Sequence, residues 1–241
     1  ILRFEDTNPG TERLEYYAAI KVGMDWLGIK YDSVEYISDN LDVLYEKADQ
    51  IIKSNDAYVC TCSQDDISKN RREMVECNCR KQSIEDNEKL WHKMFDEKGF
   101  KEGDALLRFI GNMQSGNTTM RDPALFRINT KRHARQEQKY KVWPTYDFSG
   151  VIFDSISKVS HAMRSKEFEL RKELHHSILD KLGMEKSEFI FFGRLDLEGM
   201  PVSKSELKPL IENGKIPWYD DPRLPTLEGL RRRGIRPEAV K

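Results

Sequence analysis

The sequence has no long apolar run, and nothing in it approaches the ~18 consecutive apolar residues of a membrane-spanning helix. Its start lacks the basic-then-apolar pattern of a secretory signal. Neither sign of charge is in excess: 40 Lys and Arg stand against 41 Asp and Glu, for a formal net charge of −1. That balance excludes a global field able to gather nucleic acid, so any such contact must come from local basic patches. Cysteine is absent outside residues 60–79, where all four lie. A dispersed disulfide framework is thereby excluded, and a reducing compartment is implied. There is no Walker-type glycine loop, no G-x-G-x-x-G, no internal repeat and no low-complexity tract. What these absences leave is a cytosolic α/β protein of 241 residues, with 34% charged residues and length enough for one large domain or two modest ones.

The chain opens on Arg3-Phe4-Glu5-Asp6-Thr7-Asn8-Pro9, a short apolar run that stops on two carboxylates and a turn. Leu14, Tyr17, Ala18, Val22 and Trp26 then follow helical spacing, with Gly28 as a stop. Val34 and Tyr36 predict a strand, Leu41 to Ile52 a second helix with a clean inner face, and Ala57–Cys60 the next strand. This alternation favours a parallel sheet. The normal first β–α unit of such a fold is missing before it, so the chain reads as a piece of a longer protein. The middle changes character: a helix begins at Ser83-Ile84-Glu85-Asp86, strands are predicted over 105–110 and 125–128, and 131–141 reads as an exposed charged loop. The first pattern resumes with a helix over 147–158, a strand over 159–163, a helix over 166–182 and a strand over 189–192. Residues 198–210 read as a flexible segment.

Several residues admit both a structural and a chemical reading. Glu5 and Asp6 suit a turn and helix start, or one of them grips a substrate ammonium at a strand's carboxyl end. Arg164, expected just past its strand, is either a solvated cation or a bidentate partner for carboxylate or phosphate. Tyr146 is a core aromatic or a hydroxyl at the restart of the sheet. Ser203-Lys204-Ser205 is a solvated loop or a lysine that meets charge developing on phosphate. Cys60-x-Cys62 and Cys77-x-Cys79 are free buried thiols or the four ligands of a closed structural zinc site. No histidine or other base accompanies either pair in a recognisable motif, which argues against a catalytic cysteine. His161 reads as an interior residue of its strand.

Taken in order, Arg3–Pro9, Ala57-Tyr58-Val59, Met120–Pro123, Trp143–Phe148, Ser160–Arg164, Gly193-Arg194-Leu195, Ser203–Ser205, Trp218–Thr226 and Gly229–Gly234 resemble the catalytic core of class I glutamyl- and glutaminyl-tRNA synthetases. The resemblance is strongest to the archaeal-type glutamyl branch and spans essentially the whole chain. It implies a Rossmann-like catalytic core with an inserted α+β acceptor-stem-binding domain. The parts would be 1–56 and 143–196 for the core, 57–142 for the insertion, and 197–241 for the KMSKS-type loop and the start of a stem-contact region. It further implies activation of glutamate with ATP and Mg2+, transfer to the tRNA 3′ end, and a monomer.

Under the resemblance, Glu5 takes the α-amino contact and Tyr146 is its partner. Arg164 selects the side-chain carboxylate, because a neutral amide would leave that guanidinium poorly paired. Ser165, Arg194, Leu195, Val202, Ser203 and Lys204 fall on ATP-contacting positions, and Ser203 and Lys204 form the catalytic loop. The chain departs from the pattern in three ways. The HIGH motif is absent, the loop reads Pro201-Val202-Ser203-Lys204-Ser205, and Gly150 stands where glutaminyl enzymes carry histidine. Glutaminyl-tRNA synthetase and a non-catalytic tRNA-binding relative are the alternatives. Little or no aminoacylation is expected from residues 1–241 alone.

Overall fold

The structure is a computed structural model, and it describes residues 1–193 and 203–240. In chain order the elements are β1 (Leu2–Phe4), α1 (Leu14–Trp26), β2 (Val34–Tyr36), α2 (Leu41–Lys53), β3 (Ala57–Cys60), α3 (Gln64–Glu73), α4 (Ile84–Phe95), β4 (Leu106–Phe109), β5 (Ala124–Ile128), β6 (Val142–Pro144), α5 (Tyr146–Ile156), β7 (His161–Ser165), α6 (Lys172–Leu182), β8 (Glu188–Phe192), α7 (Lys204–Glu212) and α8 (Leu227–Arg232). They fall into two units. One takes residues 1–2, 13–33 and 193–241; the other takes 3–12 and 34–192. No described helix is long and apolar enough to cross a membrane.

The larger unit holds the main core. On α2, Leu41, Leu44, Ala48, Ile51 and Ile52 recur at helical spacing and are all buried. Each of the Leu and Ile side chains contributes about 1.5–3 kcal/mol on burial. Opposite them, α4 starts on an N-cap in which Ser83 Oγ accepts the Asp86 amide at 3.1 Å. It buries Trp91, whose indole N–H donates to Asp49 at 2.8 Å and whose ring meets Phe126 edge-on. The very apolar α5 buries every residue from Asp147 to Asp154. A helix that apolar must lie inside, and the two carboxylates it takes in with it must find partners.

The sheets correct the sequence reading. Strand β3 is not the third member of a parallel sheet; it pairs antiparallel with β4, and β4–β5–β6 continue antiparallel. β7 and β8 do run parallel, from His161 opposite Glu188 to Ser165 opposite Phe192. β1 and β2 form a separate two-stranded sheet. A short strand's partner is chosen by contacts far along the chain, which local alternation does not report.

Smaller differences share that cause. The segment 131–141 is a loop with Lys131, Arg132 and 137–139 exposed, but it is anchored within: His133 is fully buried, stacked on Trp143, and Arg135 pairs with Asp39 at 2.6 Å. His161 lies on the open face of β7 rather than inside. Arg164 lies within β7, not beyond it. The helix expected over 166–182 begins as a 3-10 turn, Lys166–Arg171.

In the smaller unit, α1 forms where its spacing predicts, although Tyr17 is its only buried side chain of any size. Of the segment 198–210 expected to be flexible, 198–202 lie outside the described residues, and from Lys204 it is helical. Ser203 and Glu206 close a capping box at the start of α7. Thr226 caps α8 by accepting the Gly229 amide at 3.0 Å. A side chain at 229 would place Cβ 2.5 Å from the Leu224 carbonyl and 2.7 Å from that of Asp221. Only glycine fits that approach.

Candidate active site and cysteine centre

Side chains alternate along an extended chain, so Glu5 and Asp6, just past β1, diverge. Asp6 is a strut: it is 1% exposed and accepts the Ser38 amide at 2.9 Å and the Ser38 hydroxyl at 2.7 Å. Its carbonyl meets His133 Nε2 at 2.9 Å. Glu5 turns instead to the first turns of α5, where it accepts a hydrogen bond from the Ser149 hydroxyl. A Cβ at Gly150 would lie 3.4 Å from the Tyr146 ring and 3.7 Å from Glu5 Oε2. The absent side chain therefore keeps clear the space that Glu5 and Tyr146 share.

Arg164 is held from two sides. Its Nη2 pairs with Asp154 at 2.6 Å, and its Nη1 donates to the Tyr146 hydroxyl. The guanidinium also lies 4.9 Å from the Phe189 ring centre. The other Asp154 oxygen takes Arg3 Nη1 at 2.5 Å, and Arg3 reaches Glu35 at 3.1 Å. Glu35, Arg3, Asp154, Arg164 and Tyr146 thus form one continuous chain of contacts, with Glu5 beside it. The structure brings Glu5, Tyr146 and Arg164, grouped in the sequence reading, into one neighbourhood, and adds Arg3, Asp154 and Ser149, which that reading did not single out. The available signal was a lone aspartate deep in an apolar helix.

Burial pushes the Glu5 carboxyl up to about 7; the Ser149 hydrogen bond and the Arg3 charge oppose the rise, and Asp154 adds to it. The unfolded chain ionises Glu5 near 4.5 and the folded one only near 7, so stability falls as pH rises between those values and is level above them. We therefore expect Glu5→Gln to raise stability at pH 8 by up to about 3 kcal/mol, with no gain at pH 4.5. Urea midpoints at the two pH values check this, and equal midpoints at pH 8 would contradict it.

A cavity of about 410 Å³ lies beside Tyr146, lined also by Arg71, Thr119, Asp147, Phe168 and Arg171. Burial works against ionised Asp147, yet the hydrogen bond from His175 and the charge of Arg171 hold its carboxyl below the usual range. Ser165 closes β7 and opens the 3-10 turn. Ser203 and Lys204 belong to the smaller unit and begin α7. Arg194, Leu195 and Val202 lie outside the described residues.

All four cysteines converge. Their sulfurs lie within 4.8 Å of one another, with Cys60–Cys77 at 3.9 Å and Cys62–Cys79 at 3.8 Å. None is in a disulfide. Sulfurs ~3.8 Å apart are what a tetrahedral ion with 2.3 Å bonds requires, so the cluster fits a metal ion. The hydrogen bond shared with Cys60 holds the Cys77 thiol below the usual thiol range.

The model of the class I tRNA synthetase (E and Q) catalytic domain matches residues 1–241. The chain belongs to that family. As a class I synthetase catalytic domain it is 57% identical over all 241 residues to a glutamate–tRNA ligase of Cenarchaeum symbiosum and 56% identical to one of Nitrosopumilus maritimus, spanning 42% of each. It is 44% identical to a glutamate–tRNA ligase of Korarchaeum cryptofilum, spanning 44% of it. Among solved structures, the glutamate–tRNA synthetase of Elizabethkingia anophelis shares the class I fold. The TM-score is 0.59 at 20% identity, over 86% of this chain and 46% of that one.

Proposed function

We propose that the whole protein is a glutamate–tRNA ligase and that this class I domain carries its amino-acid site. The observation that carries the reading is Arg164, buried in β7, anchored by Asp154 and aimed at the Tyr146 hydroxyl. A guanidinium fixed in this way suits a side-chain carboxylate. Glu5, once ionised, pairs with the ammonium, and open Gly150 leaves room between them. The α-carboxylate then attacks the α-phosphorus of ATP and pyrophosphate leaves. A ribose hydroxyl at the tRNA 3′ end next attacks the acyl carbon, and AMP leaves.

Lys204 and Ser203, at the start of α7, would meet the phosphates as charge develops there. Ser165, Arg194, Leu195 and Val202 complete the nucleotide contacts, and Mg2+ accompanies ATP as its counter-ion. Residues 57–142 receive the acceptor stem, between the core segments 1–56 and 143–196, with 197–241 continuing toward the stem. Zinc is assigned to the four cysteines as a closed structural site, with no position open for catalysis.

Pyrophosphate exchange by the full-length protein tests the reading. Glutamate is expected to support exchange at least tenfold better than glutamine; the reverse preference would assign the protein to the glutaminyl branch. Metal analysis is expected to give about one zinc per chain.

A further inference from the structure

Arg108 is an unusual residue to find in the centre of a sheet. It lies in β4, is 2% exposed, and ranks among the largest fully enclosed side chains. Among the described residues, no carboxylate comes within ion-pair distance of it. The nearest acid, Asp122, is committed elsewhere: its oxygens accept the Tyr58 hydroxyl at 3.0 Å and the Gly111 amide at 2.9 Å, and Arg80 stands 3.4 Å away. Asp122 gives Arg108 only its backbone carbonyl, at 2.8 Å from Nε. The remaining contacts of the guanidinium are the sulfurs of Cys60 and Cys77, 3.6 and 3.9 Å from Nη1, and the Tyr58 ring below it. Nη2 has no hydrogen-bond partner among the described residues.

A permanent cation this deep is costly unless an anion offsets it. Four thiolates around a divalent ion carry a net charge of −2, and that anion would sit against Nη1. We propose that Arg108 is the counter-charge of the cysteine centre, donating from outside the ligand set to the sulfurs of Cys60 and Cys77 and so setting how tightly the ion is held. This rests on the assignment of zinc to that centre. The arrangement also gives a reason for the hydroxyl of Tyr58, which lies 3.6 Å from the Cys77 sulfur and donates to Asp122. The sulfur, the arginine and the aspartate turn are thereby joined in one buried polar cluster.

The test is zinc affinity of the intact chain, by competition with a chromophoric chelator, together with the Co2+ spectrum. Arg108→Met keeps the bulk and removes the charge and both donors. We expect its zinc affinity to fall 10–100-fold, the range for losing a partner behind a ligand, while the Co2+ bands keep their tetrahedral positions. Affinity within twofold of the parent would overturn the proposal. Should Arg108→Met fail to fold, Arg108→Lys serves: one ammonium cannot reproduce the forked contact with both sulfurs and the carbonyl. A three- to tenfold loss is expected from it, and unchanged affinity again overturns the proposal. A parent chain that holds no zinc at all would instead remove the metal assignment, so the two failures are distinguishable.

Discussion

Replacing Arg164 by alanine in the full-length protein is expected to lower kcat/KM for glutamate by 100-fold to 1,000-fold, with KM for ATP nearly unchanged. Truncating one member of a buried, hydrogen-bonded charge pair costs roughly 2–5 kcal/mol, and each 1.36 kcal/mol is tenfold in rate. The same substitution must also affect folding, because Asp154 loses one of its two guanidiniums. An abandoned buried carboxylate costs up to about 3–5 kcal/mol. Asp154 keeps Arg3, which places the expected loss nearer 1–3 kcal/mol. The two effects separate in the double variant with Asp154→Asn, which leaves no stranded carboxylate, while Arg3 keeps Glu35 as its ionic partner. Its urea midpoint should recover part of the loss while glutamate use does not. Unchanged glutamate kinetics in Arg164→Ala would remove this residue from the substrate site.

Chelating the zinc proposed for the four cysteines is expected to have the next largest effect, and a localised one. The helix α3 buries none of its residues, so the segment between the two cysteine pairs has little hydrophobic attachment of its own. Its other ties are few: Arg71 to the Thr118 carbonyl, Gln114 to the Met74 carbonyl and Arg121 to the Arg71 carbonyl. The core built from α2, α4, α5 and the sheets shares no residue with the small cluster of Tyr58, Cys60 and Cys77. Chelation should therefore open residues 61–80 to protease while 84–182 stay protected. Thermal stability should fall by about 10 °C, the scale of a few kcal/mol in a chain of this length. Readded zinc should restore both. A chelated chain that resists cleavage there would mean the clamp is not needed.

How far the sequence could be read divides along the range of the forces involved. Helix α2 and the cap of α4 are written locally, in the spacing of Leu41, Leu44, Ala48, Ile51 and Ile52 and in the hydroxyl of Ser83, and both were legible. The cysteine pairs were legible as a group because ligand chemistry restricts what four clustered thiols do in a reduced protein. The antiparallel pairing of β3 with β4 was not, since Ala57–Cys60 looks the same whichever strand lies beside it. His133 was hidden for the same reason: its burial depends on Asp6, 127 positions earlier, and on a turn whose surroundings read as surface. At the candidate site, Glu5, Tyr146 and Arg164 were grouped through resemblance. Their anchors were not found. Arg3 and Asp154 are 151 positions apart, and only the oddity of an acid inside α5 pointed to a partner.

The divergence of Glu5 and Asp6 makes chain length a functional variable at the end of β1. Asp6 is pinned through Ser38, so its neighbour is delivered to α5 by strand geometry alone. Deleting or inserting a single residue between Arg3 and Asp6 would exchange the two faces. It would send the wrong carboxylate to the Ser38 strut, or leave Ser149 facing no acid, without changing the composition of either site. Substitutions here can be graded in their effect, whereas a one-residue indel has no intermediate outcome. Natural variation in this segment should accordingly be in residue identity and never in length.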